Sequence, residues 1–548
     1  MMLASSVTPS SAIDFQVRTV VLSGDSAPGF PDGTVFGGPE YVDLNASGHV
    51  AFGDGYAIWS DTTGEIRLVA RNGIPAPGAP AGENFHLIDI PIIADTGRVG
   101  FLATIFGFPE FRPGLWAGDS AYLIKVALVG TLGISQIGPV NAVVLGSPAI
   151  NCEGATAFFA SLFGTPVVMK ESLGQLSILA QSGMSAPGTT PTSSFSSFGR
   201  TNQTINPALN DDDEAAFYAR LNSSAPTRAG IWSERGGSLQ LVIRAGMPAP
   251  GTESGVSFLE FSDPRINDAA ETAFAGVLTG SGVSTENDTG IWSELPQGLA
   301  LVARENSQAS GLPTGVLYGS LENAPVINHS GRVAFTGRLK GSGISASNDS
   351  AMWSGSANEL DLVAWEGSAI PAGGTWSDFP VEPEWAQGPA MNAIGIVAFT
   401  VGFSGVSSGG YPASVWMMYP NGHVNPVLRQ GDMIEVRPGD FRVVETAYSL
   451  LTGGGQDGRR NALNDAGEIG ITAEFTDGTA GVLVVSVLRI GDINSDGDVD
   501  VDDIPCMLAI LVQWDNVTGC GVDQADANED GIVDSRDLEP FVELILGD

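Results

Sequence analysis

Short apolar runs cut by Gly, Pro, Asn and Asp fill the first 490 or so residues, and almost nothing before residue 500 carries a helical period. Runs of that kind between turn residues predict strands. They also repeat. A motif Asn-x-x-Gly-x-x-Ala-Phe stands at Asn45/Gly48/Ala51/Phe52, Asn151/Gly154/Ala157/Phe158, Asn328/Gly331/Ala334/Phe335 and Asn392/Gly395/Ala398/Phe399. Weaker copies start at Ala94, Asn210, Asn267 and Asn464, making eight copies 49 to 72 residues apart. Each copy leads to a short strand with Trp (Trp59, Trp116, Trp232, Trp292, Trp353 and Trp416 in six of them). A β-branched run such as Leu241–Arg244 follows, then a Pro/Gly turn such as Pro248-Ala-Pro-Gly251. About four strands per unit, eight times over, predict a mainly β chain with an eight-bladed β-propeller-like domain over residues 15–490.

The motif has a local reading. Asn caps or bends a turn, Gly takes a positive φ, and Ala and Phe alternate into a tight core between sheets. The chain opens with Arg18–Leu22 and Ser26-Ala-Pro-Gly29, the end of a unit whose earlier strands are missing, while the eighth copy stops at Val482–Val487 after its third strand. The N-terminal strand is therefore expected to complete the last blade and remove an open edge. Residues 1–14 read as a leader remnant or a disordered start.

Two acidic loops near the C-terminus change the picture. In the first, Asp492, Asn494, Asp496, Asp500 and Asp503 take loop positions 1, 3, 5, 9 and 12, with Gly497 at position 6 and Asp498 at position 7. In the second, Asp526, Asn528, Asp530, Asp534 and Asp537 do the same, with Gly531 and then Ile532 at position 7. This is calcium-loop spacing: a hard cation takes six to eight oxygens, and Gly permits the sharp turn between them. An EF-hand ends on Glu; both loops here end on Asp. Each is followed by an apolar helical run, so two calcium ions are expected in residues 491–548.

The paired loops resemble the duplicated loop-helix of type I dockerin modules. That resemblance implies a small α-helical, EF-hand-like module that docks a secreted protein onto a cohesin-like receptor through loop positions 10 and 11, here Val501-Asp502 and Ser535-Arg536. The repeat resembles tandem NxxGxxAF-repeat proteins of bacterial surfaces, which implies an extracellular, anchored protein and no activity.

Charge narrows the partners. Of the net −38, the tail from Gly491 supplies −15 and the first 490 residues −23. Such a surface repels nucleic acid and anionic membrane, and no apolar stretch is long enough to span a bilayer. Three cysteines make no disulfide framework. Cys506 and Cys520 flank the first tail helix and either bridge in an oxidising compartment or stay free; Cys152 reads as a small buried residue.

No catalytic constellation is legible. His49 and His329 lie inside motif copies, and no His, Cys or Asp grouping has metal-ligand spacing outside the tail. Asp211-Asp-Asp-Glu214 reads as a polar turn. Glu382 and Glu384 beside Trp385, in an inserted loop of blade seven, are candidates for a sugar groove, as are Trp365 and Trp376. The leading expectation is a secreted, calcium-dependent docking protein whose non-catalytic propeller binds a carbohydrate or surface ligand. The alternative is a dockerin-borne carbohydrate-active enzyme, a glycoside hydrolase or lyase, in polysaccharide breakdown.

Overall fold

The computed structural model describes residues 15–107, 110–128, 131–132, 139–140, 142–162, 164–189, 193–199, 207–222, 228–321, 323–357, 359–370, 375–377, 379, 388–401, 414–420, 422, 424–449, 456–487, 491–494, 499–513, 520–521, 523–528 and 533–546. The chain is mainly β and forms an eight-bladed propeller. Seven blades follow in order over residues 40–71, 84–128, 142–181, 195–244, 256–304, 316–365 and 390–429. The eighth combines Asp440–Tyr448, Glu468–Phe475 and Ala480–Val487 with the N-terminal strand Phe15–Leu22. Phe15 pairs with Val487 and Leu22 with Gly481, antiparallel, as the orphan strand requires. A fifth strand, Met433–Arg437, extends this blade and is tied to the N-terminal strand by Thr19 Oγ1 donating to the Val436 carbonyl at 2.6 Å.

The motif Phe and the blade Trp are cross-strand partners in all six blades that carry both, for example Phe274 opposite Trp292 and Phe335 opposite Trp353. A third ring meets the Trp edge-on in each: Phe36, Phe85, Phe195, Phe258, Tyr318 and Trp376, at centroid distances of 4.7–5.0 Å. These columns fill the layers between blades, where edge-to-face geometry adds to plain area burial. In five blades the Trp Nε1–H donates to a carbonyl of the turn arriving from the previous blade: Pro28, Pro77, Pro187, Pro250 and Ser310, at 3.0–3.1 Å. The Trp therefore packs its own blade and clasps the turn that leads into it.

After the propeller come two short helices, Ile504–Gln513 and Leu538–Leu546, over a small core of Ile493, Met507, Ile510, Ala525 and Phe541. Cys506 and Cys520 are joined by a disulfide beside that core. Among the described residues, no helix is long and apolar enough to cross a membrane.

Candidate functional site

The eight motif copies converge at one end of the central channel, and their asparagines form a girdle. Each Asn Oδ1 accepts the N–H four residues on, at 2.7–3.0 Å, which closes its own hairpin. Its Nδ2 reaches sideways to a carbonyl of the next blade: Asn45 to Ala94, Asn151 to Asn210, Asn210 to Asn267, Asn267 to Asn328, Asn328 to Ala393, Asn392 to Asn464 and Asn464 to Asn45. Only blade two, with Ala94 in place of Asn, contributes no such link. The carboxamide alone carries a donor and an acceptor in fixed opposition, so no other short side chain could do both.

A segment of blade eight, residues 456–464, crosses the channel as a plug. The Asp457 and Gly458 carbonyls accept from Leu209 and Ile150, the Asn461 carbonyl accepts from Leu44, and Arg265 pairs with the fully buried Asp457 at 3.0 Å. Gly458 has φ +67°, and a Cβ there would sit 2.8 Å from the Leu209 carbonyl, so only Gly fits. Between plug and girdle lies a cavity of about 150 Å³.

Its lining is acidic. The residue after the motif Asn position faces it in blades two, four, five and eight, as Asp95, Asp211, Asp268 and Asp465, joined by Asp43 from the first blade. Ala46 donates to Asp95, Cys152 to Asp211, Asp211 to Asp268 and Ala393 to Asp465, backbone N–H to carboxylate Oδ1 at 2.7–3.0 Å. Burial pushes the Asp268 carboxyl up to about 6 and Asp43 up to about 7, and raises Asp211 and Asp465; backbone N–H donors oppose it in each case. Arg459 is the cation on the lining. Cys152, expected as a plain core residue, is half-buried and lines this cavity. Burial raises its thiol far above the ordinary value, which makes it a poor nucleophile.

In the tail, Asp503 Oδ1 accepts from Ile493 and Asn494 N–H at 2.7 and 2.9 Å, and its Oδ2 from Asp500 N–H at 2.9 Å. Asp537 repeats this with Asn528 and Asp534 at 3.0 and 2.8 Å. Asp500 and Asp534 each accept the N–H two residues on, from Asp502 and Arg536. The position-12 carboxylate thus straps loop positions 3 and 9 together in both copies. Asp492, Asp503 and Asp537 are buried, and Asn494, Asp526 and Asn528 lie beside them in chain order. Asp496, Asp498, Asp530 and Ile532 lie outside the described residues. Val501, Asp502, Ser535 and Arg536 are exposed.

Of the sugar-groove candidates, the structure assigns one to the core. Trp376 is 4 % exposed and is the edge-on ring of blade seven, not a loop platform. Trp365 is partly buried, with Nε1 bonded to the Asn348 carbonyl. Glu382, Glu384 and Trp385 lie outside the described residues. Sequence reasoning missed an exposed aromatic trio on blade two. Phe106 and Phe111 are cross-strand partners 4.8 Å apart, with the His86 ring 4.9 Å from Phe111 and the Glu83–Arg112 ion pair nearby. Its signal was the Phe-rich segment 106–111.

No curated protein matches the chain in sequence. Solved structures resemble it at about a tenth identity. An oligogalacturonate lyase in complex with manganese matches at 10 % identity over 71 % of this chain and 85 % of its own, with a TM-score of 0.33. The Dos1 propeller gives 9 %, 86 %, 96 % and 0.35, and a PL25 ulvan lyase 11 %, 79 %, 94 % and 0.32. At such scores these likenesses carry no argument about activity. The family match is different in kind: a family model covers residues 53–491, most of the chain, so the chain belongs to a family of unknown function, DUF7453.

Proposed function

We propose that this is a secreted protein whose C-terminal module folds around two calcium ions and docks the chain onto a cohesin-like receptor, leaving a non-catalytic propeller to bind a ligand at the cell surface. One observation carries the reading. Two loops with the same strapping hydrogen bonds each feed a helix whose outer stripe is apolar and exposed. Ile504, Leu508 and Val512 are 40, 53 and 76 % exposed, and Leu538, Val542 and Leu546 are 37, 50 and 68 %. The second trio repeats the first 34 residues later. Exposed apolar stripes at i, i+4, i+8 suit a partner surface. The oxygen-only donor set, with carboxylates buried in a strongly acidic module, fits a hard cation that would offset their repulsion. The Cys506–Cys520 disulfide supports an oxidising compartment.

For the propeller, the exposed Phe106–Phe111–His86 surface favours a carbohydrate ligand, whose C–H faces stack on rings while hydroxyls reach the neighbouring charged pair. A glycoside hydrolase or lyase remains the second reading, and it needs the Glu382/Glu384 loop.

The test uses the full chain. Calcium titration calorimetry should give two sites, lost in the Asp492→Ala/Asp526→Ala double variant. EGTA should melt the tail and leave the propeller transition in place, and a type I cohesin domain should be captured only with calcium. Absence of calcium uptake, or a propeller transition that moves with EGTA, sinks the docking reading. Polysaccharide cleavage lost on Glu382→Gln or Glu384→Gln establishes the enzyme instead.

A further inference from the structure

We propose, on the calcium reading of the tail, that the Cys506–Cys520 disulfide presets the first acidic loop, so that calcium uptake there follows the redox state of the chain. The two loops share their strapping hydrogen bonds, yet only the first lies on a path closed by a covalent cross-link. Gly521 N–H donates to the carbonyl of Ile493, loop position 2, at 2.8 Å. The residue before it, Cys520, is bonded to Cys506. Cys506 stands three residues after Asp503, the position-12 carboxylate. Asp503 Oδ1 in turn accepts the Ile493 and Asn494 N–H groups at 2.7 and 2.9 Å, which brings the path back to its start. Just ahead of position 1, Gly491 N–H donates to the Gln524 carbonyl at 2.8 Å, so the segment after Cys520 runs beside the entry to the loop.

The second loop has no such closure. Asp537 accepts from Asn528 and Asp534 as Asp503 does from its own loop, but no cysteine follows Cys520, and Pro540 stands where the second copy would carry the counterpart of Cys506. The consequence lies in the metal-free chain. Five aspartates occupy ligand positions of the first loop, Asp492, Asp496, Asp498, Asp500 and Asp503. Without a cation they repel one another and the loop opens, so binding must order it again. A cross-link between residues 14 apart removes conformers from the opened chain, which leaves the ion less ordering to do. Reduction by a dithiol adds two electrons and two protons to the S–S bond, gives two thiols and turns the dithiol into its own disulfide. Cys506 and Cys520 pack against the core of Ile493, Met507, Ile510, Ala525 and Phe541, which both loops share, and the two thiols keep that packing. The loss on reduction therefore falls on the order of the first loop.

The experiment reads the loops one at a time in the full chain. Asp526→Ala leaves the first loop to bind calcium, and Asp492→Ala leaves the second. Each variant is titrated with CaCl2 by calorimetry, oxidised and again after dithiothreitol. Free thiols score the reduction: Cys152 alone before it, all three cysteines after it. Reduction should weaken calcium binding about tenfold or more in the Asp526→Ala chain, and less than about threefold in the Asp492→Ala chain. Cys506→Ala with Cys520→Ala, on each background, should match the reduced chains and needs no reductant. Excess calcium should restore the tail's melting transition in the reduced Asp526→Ala chain. Equal weakening of the two loops, or none in the first, overturns the inference. So does a tail transition that no calcium concentration restores, since the disulfide would then hold the whole module and not one loop. Oxidised chains that take up no calcium overturn the reading of the tail and this inference with it, whereas calcium uptake indifferent to the disulfide overturns this inference alone.

Discussion

At the residue scale, the fourth position of the motif shows why Gly recurs there. Gly48, Gly97, Gly154, Gly331, Gly395 and Gly467 all have φ between +73° and +96°, and the two copies without Gly put Asp213 and Ala270 at +64° and +58°. A Cβ in that region is strained by about 1 kcal/mol, and Ala has no polar group to offset it. Ala270→Gly should therefore stabilise the chain by about 0.5–1 kcal/mol. Asn267→Ala, three residues earlier, should cost about 1–3 kcal/mol, because it strands the Glu271 N–H and takes from the buried Asn328 carbonyl its link to the neighbouring blade, leaving it only the Gly331 N–H. Calorimetric melting of both variants checks this; equal destabilisation by the two would refute the backbone argument. Asp268 makes a pH prediction. Its carboxyl sits at about 6 in the fold, facing Asp211, Asp212 and His329, against about 4 in an unfolded chain. Between those values the folded chain holds more protons, so stability falls as pH rises through the window and the penalty is complete above it. Asp268→Asn should thus raise the melting temperature at about pH 7.5 in EDTA, by about 1 °C once solvent screening is discounted, and leave it unchanged at about pH 3, below both values. The same gain at both pH values would rule out ionisation as the cause.

At the element scale, the decisive part is the N-terminal strand. Phe15–Leu22 covers the open edge of Ala480–Val487 and is also held by the Met433–Arg437 strand through Thr19. Deleting residues 1–22 should leave a paired-up blade with one bare edge of valines. The transition should drop by more than about 5 °C, and higher-order species should appear on size exclusion. An unchanged, monodisperse product would mean that the ring closes without its clasp. The strand's role was legible because repeat bookkeeping left one strand too few at one end and one too many at the other. The Trp column was legible as packing for a similar reason: one residue type at one place in six units. Trp376 misled because its segment carries no motif; only the fold shows it standing where Phe258 and Phe85 stand in other blades.

At the scale of the whole molecule, the ring is closed three times: by the strand clasp, by the asparagine girdle with its one gap at Ala94, and by the plug that reaches blades one, three, four and five. Closure gathers the residues that follow each motif Asn around one axis. A net −23 spread along 490 residues becomes, at that axis, a few carboxylates facing one another in a partly desolvated cavity.

Local interactions determined what the sequence alone could decide. Strand runs, turn residues and a repeated motif are short-range patterns, and they carry blade number, strand order within a blade and the calcium-loop spacing of the tail. The tertiary structure alone decided which residues of different blades meet. The sideways bond of each Asn, the plug's path across the channel and the meeting of Asp95, Asp211, Asp268 and Asp465 join positions far apart in the chain, from 45 to 464 at the extreme. No periodicity records those meetings. They follow from the curvature that eight twisted sheets acquire when they pack face to face and close.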